Sequence, residues 1–258
     1  MSLLDVHCHL DFKQFEKDLD SVIQRAREAG IKFIVQNGVN SKSNRKSIQI
    51  AEEYPDIIKL SLGMYPIDAL DLSDEEFDAE LKFIEKNKDR IVALGEVGID
   101  HHWSKDKEQW RKQEENFNKI IELAEKIRKP LIVHSREAEK EAFEMLQSSD
   151  AKKVILHCFN GDFDTIKKAE DAGYYFTIPC IILKSKHFRK MAARISLDRL
   201  FTETDAPYMG PFPGKRNEPA YIRETVNKIA ELRKIKIGEV EDRIMGNYNA
   251  LFGGNDEA

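Results

Sequence analysis

Cysteine is scarce and odd in number, three in 258 residues, which excludes a disulfide framework and points to a reducing compartment, expected to be cytoplasmic. No apolar run approaches membrane-spanning length. Asp5, His7, His9 and Asp11 also stand where a secretory signal would need an unbroken hydrophobic stretch, so no membrane association is expected. An excess of positive charge is missing too: the formal net charge of -5 excludes a chain that coats nucleic acid by overall attraction. Any such contact must come from a local basic patch or from bound metal ions. Ser/Gly-rich linkers, low-complexity tracts, short repeats and exposed heptads are absent as well. The expectation is therefore one monomeric domain over residues 1–258, with a tail frayed from about residue 253.

The length is that of one large α/β barrel, and 41% hydrophobic with 34% charged residues can fill a large core beneath charged helix exteriors. Phe15, Leu19, Val22, Ile23, Ala26 and Ala29 recur at helical spacing until Gly30, which predicts a helix over 15–29 and a strand over 32–36. A helix over 41–53 closes before Pro55, and a strand over 57–62 follows. Ser73 with Glu76 is a capping box that opens a helix through Phe77, Leu81 and Ile84 ahead of a buried strand over 91–95. The alternation continues with a long helix through Trp110, Phe117, Ile120 and Ala124, then strands over 131–134, 154–157 and 174–178, each preceded by a helix. A helix over 185–195 leads to an eighth strand at Leu200 and Phe201, and helices over 219–233 and 237–251 close the chain. Eight strands alternating with helices predict the α/β class and a (β/α)8 TIM barrel. One miscounted strand would give a doubly wound sheet instead.

In such a barrel the chemistry sits where the strands end. His7 and His9 close the first strand, and alternate side chains of an extended segment share a face, so the two imidazoles can chelate one ion. Glu96, His134, His157 and Asp205 stand at the ends of the fourth, fifth, sixth and eighth strands. Imidazole with carboxylate suits Zn, Mn or Co, whereas Mg prefers more oxygen. Six ligands exceed the needs of one ion. A carboxylate can bridge two, and Glu96 is the candidate bridge for a two-metal hydrolytic centre.

The motifs His7-Cys8-His9-Leu10-Asp11, Gly95-Glu96-Val97-Gly98-Ile99-Asp100, Val133-His134-Ser135-Arg136, His157-Cys158-Phe159, Glu203-Thr204-Asp205-Ala206-Pro207 and Arg216-Asn217-Glu218-Pro219 occur in an order that resembles the TatD family of metal-dependent hydrolases. The resemblance implies a TIM barrel with two divalent ions (Zn, Mn, Co or Mg). His7, His9, Glu96 and Asp205 would hold one ion, and Glu96, His134 and His157 the other. It implies a DNase, of the 3'-to-5' exonuclease type, that cleaves phosphodiester bonds of DNA with a metal-activated water. Other members resemble D-aminoacyl-tRNA deacylases, so an ester or amide hydrolase is the alternative, including one acting on small cyclic amides. A metal-stabilised binding module without turnover would need a closed ligand set. Two segments depart from the family pattern: His101-His102 where a Tyr is usual after Gly-Ile-Asp, and Thr177-Ile178-Pro179-Cys180 in the seventh strand.

Asp205 and Glu96 are the expected catalytic residues, with Asp205 placed to take a proton from the attacking water. Arg136, Glu203 and Asn217 are the expected substrate-side residues. Arg136 either reaches a phosphate oxygen or pairs with a local carboxylate, and Glu203 is expected to share the face of Asp205. His101 and His102 read as a solvated loop that could contact substrate. Cys8 and Cys158, turned away by alternation, read as small core residues. Residues 184–216 carry eight Lys or Arg against three Asp or Glu, a basic stretch that is either a solvated face or a groove for a nucleic-acid backbone.

Overall fold

Runs of β-branched and aliphatic residues and amphipathic stretches alternate along the whole chain. In a computed structural model that describes residues 2–253 they form eight strands and nine α-helices. The expected frayed tail, from residue 254 on, lies outside the described residues. In chain order the elements are β1 (Leu3–Cys8), α1 (Leu19–Glu28), β2 (Ile31–Asn37), α2 (Ser41–Glu53), β3 (Ile58–Leu62), α3 (Asp74–Lys86), β4 (Ile91–Gly98), α4 (Lys107–Ile127) and β5 (Leu131–His134). They continue with α5 (Glu139–Gln147), β6 (Val154–Leu156), α6 (Phe163–Asp171), β7 (Tyr175–Pro179), α7 (Lys186–Arg194), β8 (Leu200–Glu203), α8 (Ile222–Arg233) and α9 (Ile237–Phe252). The strands form one sheet in the order β1 to β8, and the fold is the (β/α)8 barrel that the alternation predicts. No helix among the described residues is long and apolar enough to cross a membrane.

The chain packs as two compact units. The first holds residues 2–36, 48–59 and 176–253. Here β1 pairs with β2 and β7 with β8, all parallel, and β8 meets β1: the Thr202 hydroxyl donates to Leu4 O at 2.6 Å, and Cys8 bridges Ala206. Val226 and Ile229 of α8 and Val240, Ile244 and Leu251 of α9 are buried in this unit.

The second unit holds residues 37–47 and 60–175. Strands β3 to β6 run parallel, with Val97 opposite Val133, Gly98 opposite His134 and Ile132 opposite Ile155. Phe117, Ile120, Ile121 and Ala124 of α4 are buried. The capping box that opens α3 is present in full: Glu76 N–H donates to Ser73 Oγ at 3.2 Å, and Ser73 N–H donates to the Glu76 carboxylate at 2.9 Å.

Several boundaries differ from the periodicity: β4, expected over 91–95, runs on to Gly98, and β8 runs on to Glu203. Phe15 lies not in α1 but in a separate 3-10 turn, Lys13–Phe15, because its buried ring packs under the Arg216 guanidinium at 4.3 Å while Asp18, just before α1, is drawn to the same arginine. The stretch from Pro219 likewise begins as a 3-10 turn, Pro219–Tyr221, before α8.

Candidate metal centre

In the first unit, β1 delivers His7 as its penultimate residue and His9 just past its end. Both rings are buried, and their Nε2 atoms stand 3.1 Å apart. Asp205 Oδ1 lies 3.5 Å from His9 Nε2 and 3.8 Å from His7 Nε2. Three donor atoms so spaced match the roughly 3.3 Å separation expected around a tetrahedral ion with bonds near 2.0–2.1 Å. Asp205 adopts the left-handed conformation (φ 55°), fixed by its N–H on His7 O at 2.9 Å and by the Tyr208 N–H on its own carbonyl at 2.9 Å.

Asp5 ties these ligands together. Its buried carboxylate accepts from the Thr204 N–H at 2.9 Å, the Thr204 hydroxyl at 2.5 Å and the His7 N–H at 3.3 Å. Burial pushes its pKa up to about 8 against those donations. Asn217, fully buried, braces the same turn. Its amide donates to Thr204 O and Tyr208 O, each at 2.7 Å, and its carbonyl accepts from Glu218 N–H at 3.0 Å. Glu203, also fully buried, is the last residue of β8, and strand alternation stops there.

The flanking residues clamp the turn to α1 and the residue before it. Arg25 binds Glu218 through both oxygens, at 2.7 and 2.6 Å, and Arg216 binds Asp18 at 2.8 and 2.7 Å. The hydrogen bond from Arg216 holds the Asp18 carboxyl below its ordinary pKa. A carboxylate depressed in the folded state stabilises above its unfolded value, and that gain disappears as pH falls through the folded one. Arg216→Ala should therefore cost below about 1 kcal/mol near pH 7, since the pair is part-exposed, and nothing once Asp18 is protonated. Urea midpoints of both proteins from pH 7 down to 3 check this; a constant gap would assign the loss to packing on Phe15.

In the second unit, Glu96 comes from β4, His134 from the end of β5 and His157 from the residue after β6. Together they form a group able to hold a metal ion. Glu96 Oε1 lies 2.8 Å from His134 Nδ1 and 3.9 Å from His157 Nε2. Glu96 N–H donates to Gly38 O at 2.9 Å, and a side chain at position 63 would place Cβ 2.5 Å from the Glu96 carbonyl, so only glycine fits there.

Behind His134 stands Asp100. Its Oδ2 accepts from His134 Nε2 at 2.9 Å and from the Tyr65 hydroxyl at 2.7 Å, and its Oδ1 accepts the N–H groups of His102 and Trp103, both at 2.8 Å. Burial opposes its ionisation, but these donations outweigh it and bring the pKa down to about 2. With Nε2–H committed to Asp100, a neutral His134 would turn the lone pair of Nδ1 onto Glu96 Oε1, acceptor against acceptor. A cation resolves this. Either the ring carries a second proton, which is why its pKa stands at about 9 in spite of burial, or a divalent ion takes that place. The donor set therefore fits a metal. Asp100→Asn, which keeps the shape and removes the charge, should weaken metal affinity by about 10- to 100-fold. Titration calorimetry with Zn or Mn checks this, and an unchanged affinity would reduce Asp100 to a loop anchor.

Asp100 and Tyr65 were not singled out from sequence as ligand supports. The only signal was Asp100 at the close of the Gly-Ile-Asp motif. The loop beyond it corrects one expectation: His101 is not solvated but buried, stacked on Trp110 at 4.1 Å, with its N–H on Arg136 O at 3.0 Å. His102 meets the Glu137 carboxylate at 2.5 Å. Arg136 is exposed, makes no ion pair among the described residues, and sets its guanidinium 5.6 Å from the Trp103 ring. The basic stretch 184–216 spends several of its charges internally. Lys184 donates to Gly210 O, Arg189 to the carbonyls of Ile182 and Leu183, and Arg216 to Asp18. Cys8 and Cys180 are buried, and burial pushes both thiols well up, which suits core residues; Cys158, expected in the core, is only half-buried, because β6 ends at Leu156 and strand alternation no longer turns it inward.

The family model described as TatD related DNase matches residues 4–253. The metal-dependent hydrolase YabD of Bacillus subtilis is 33% identical over 256 residues, covering 97% of this chain and 98% of its own. The human protein named deoxyribonuclease TATDN3 is 34% identical over 260 residues, covering 98% and 95%. Among solved structures, the TatD homolog YjjV of Escherichia coli superposes with a TM-score of 0.89 at 27% identity over 97% of both chains. The E. coli phosphotriesterase homology protein, with phosphate in its active site, superposes at 0.68 with 15% identity, a likeness of fold alone.

Proposed function

The chain belongs to the TatD-related DNase family and is a metal-dependent hydrolase acting on ester bonds; on that premise we propose that it is a two-metal DNase releasing nucleotides from a DNA end in the 3'-to-5' direction. The observation that carries the two-metal reading is the presence of two ligand triads, His7–His9–Asp205 and Glu96–His134–His157, each with donor atoms within 4 Å of a common partner. Glu96 is the carboxylate proposed to serve both ions.

Divalent ions held by these residues would lower the pKa of a water and polarise the phosphoryl oxygen. The chain's own groups do the rest. Asp205, with His7 and His9 on one side and its backbone fixed, presents a carboxylate oxygen that can take the proton of the attacking water. Asp5 and Thr204 keep that oxygen in register with the histidines. Asp100 holds His134 in the tautomer whose Nδ1 is a ligand. Arg136, exposed and without a carboxylate partner, is placed to grip a phosphate oxygen. Glu203 and Asn217, both buried, are proposed to act on substrate only through the turn that carries Asp205.

The test is cleavage of end-labelled single- and double-stranded DNA with Mg, Mn, Co or Zn. Stepwise release of mononucleotides that chelator abolishes supports the reading. No cleavage with any of these metals removes it and turns attention to carboxylic esters and amides, including aminoacyl-tRNA.

A further inference from the structure

The largest exposed apolar side chain in the second unit is Trp103, 66% accessible, and it stands on a loop that is far from loose. Its own N–H is bound by Asp100 Oδ1 at 2.8 Å, the oxygen opposite the one that orients His134. Gln113 clasps Asp100 from both sides, accepting its N–H at 2.7 Å and donating to its carbonyl at 3.1 Å, and the Trp110 indole donates to Ser104 O at 2.6 Å. The backbone is thus fixed at both ends of the exposed ring. Folding gains little from an indole left in water, so a fixed loop that presents one needs another reason.

Arg136 supplies it. The guanidinium lies over one face of the indole, 5.6 Å from its centroid, itself exposed and in no ion pair among the described residues, while the neighbouring Lys105 is neutralised by Glu137 at 2.9 Å. The pair offers the indole's remaining π-face and a cation without a carboxylate partner. Trp103 hangs from the carboxylate that orients His134, and Arg136 follows that histidine by two residues. A nucleotide matches that combination: a base to stack on the ring and a phosphate to meet the arginine. Any base has a π-face, so such a platform accepts an unpaired base without reading its identity.

We propose that Trp103 and Arg136 form a nucleobase-stacking subsite beside the Glu96–His134–His157 ligands, which seats the terminal base of the DNA strand. This rests on the nuclease reading above. Because the loop is already held, stacking costs little ordering entropy, and the benefit falls on substrate binding.

The experiment compares the metal-loaded wild type, Trp103→Ala and Trp103→Phe on one single-stranded oligonucleotide, and on the same oligonucleotide with its terminal nucleotides made abasic. Trp103→Ala should raise KM on the ordinary strand by about ten-fold or more, and Trp103→Phe should recover most of that. Abasic ends should cost the wild type a similar factor, and the two losses should not add, since each removes one half of the same stack. Arg136→Ala should weaken both substrates and lower the salt slope of binding by about one. If the wild type degrades DNA and Trp103→Ala keeps its KM, or the abasic penalty persists in full in Trp103→Ala, the stacking subsite is overturned and the nuclease reading stands. A wild type that cleaves no DNA with any metal overturns both.

Discussion

Replacing Glu96 by glutamine is expected to lower turnover by about a thousand-fold or more and to leave the fold intact. The amide has the volume of the acid, and the backbone at this position is fixed independently of the side chain, by the bond from Glu96 N–H to Gly38 O. What is lost is the negative charge, and with it the proposed role of holding one ion firmly and sharing a second. On the two-metal reading proposed above, the bound metal should accordingly fall from two equivalents per chain to one. Elemental analysis of the purified variant beside steady-state cleavage of labelled DNA reads both quantities, and circular dichroism guards against a folding defect. A variant that kept two ions and near-normal turnover would remove Glu96 from the bridging position. Two ions with negligible turnover would instead make the carboxylate a participant in the chemistry and not a ligand.

The second large effect is structural. Gly98, the last residue of β4, has φ 139°, a conformation that side chains other than glycine's rarely adopt, and a Cβ built there would lie 1.9 Å from the carbonyl oxygen of His134. That obstacle is backbone, not a side chain that can rotate away. Gly98→Ala must push β5 aside at the point where it delivers a ligand, and the expected loss is roughly 3 kcal/mol or more. For a chain of this length that corresponds to a fall of about 6–12 °C in Tm, readable by differential scanning calorimetry. Metal affinity should drop with it, because Gly98 and His134 are direct partners in the β4–β5 register. A variant with an unchanged Tm would mean that the backbone around Gly98 can relax without cost.

The sequence made the fold legible because the barrel's periodicities are strong: α2, for instance, spans Ser41–Glu53 as its pattern predicts. The candidate ligands were legible for a related reason, since histidines and carboxylates that recur at strand ends need no knowledge of distant contacts, and the structure brings them into groups that could hold an ion. Phe15 was harder. Its spacing fits α1, and only the tertiary contact with Arg216 places it in a separate turn. Tyr65 lies in a loop after β3 and reaches Asp100 only through folding, so nothing in its neighbourhood marks it as a partner of His134. Asn217 stands in a family motif that suggests substrate contact, yet its amide donors are both taken by backbone carbonyls, a commitment that no local pattern encodes. The burial of His101 depended on Trp110, one helical turn into a different element.

The bond between Asp5 and Thr204 joins residues 199 positions apart. A ribosome makes the chain from its amino end, so His7 and His9 reach the cell's pool of metal ions long before Asp205 has been synthesised. Until then two imidazoles on one face of the chain are an indiscriminate chelator, free to pick up whichever transition metal is most avid. The Glu96–His134–His157 set, by contrast, draws on a shorter stretch of chain and is complete while the last strand is still to come. Selection of the right ion in the first triad therefore falls to the final stage of synthesis, when the carboxylate arrives and the geometry hardens around it.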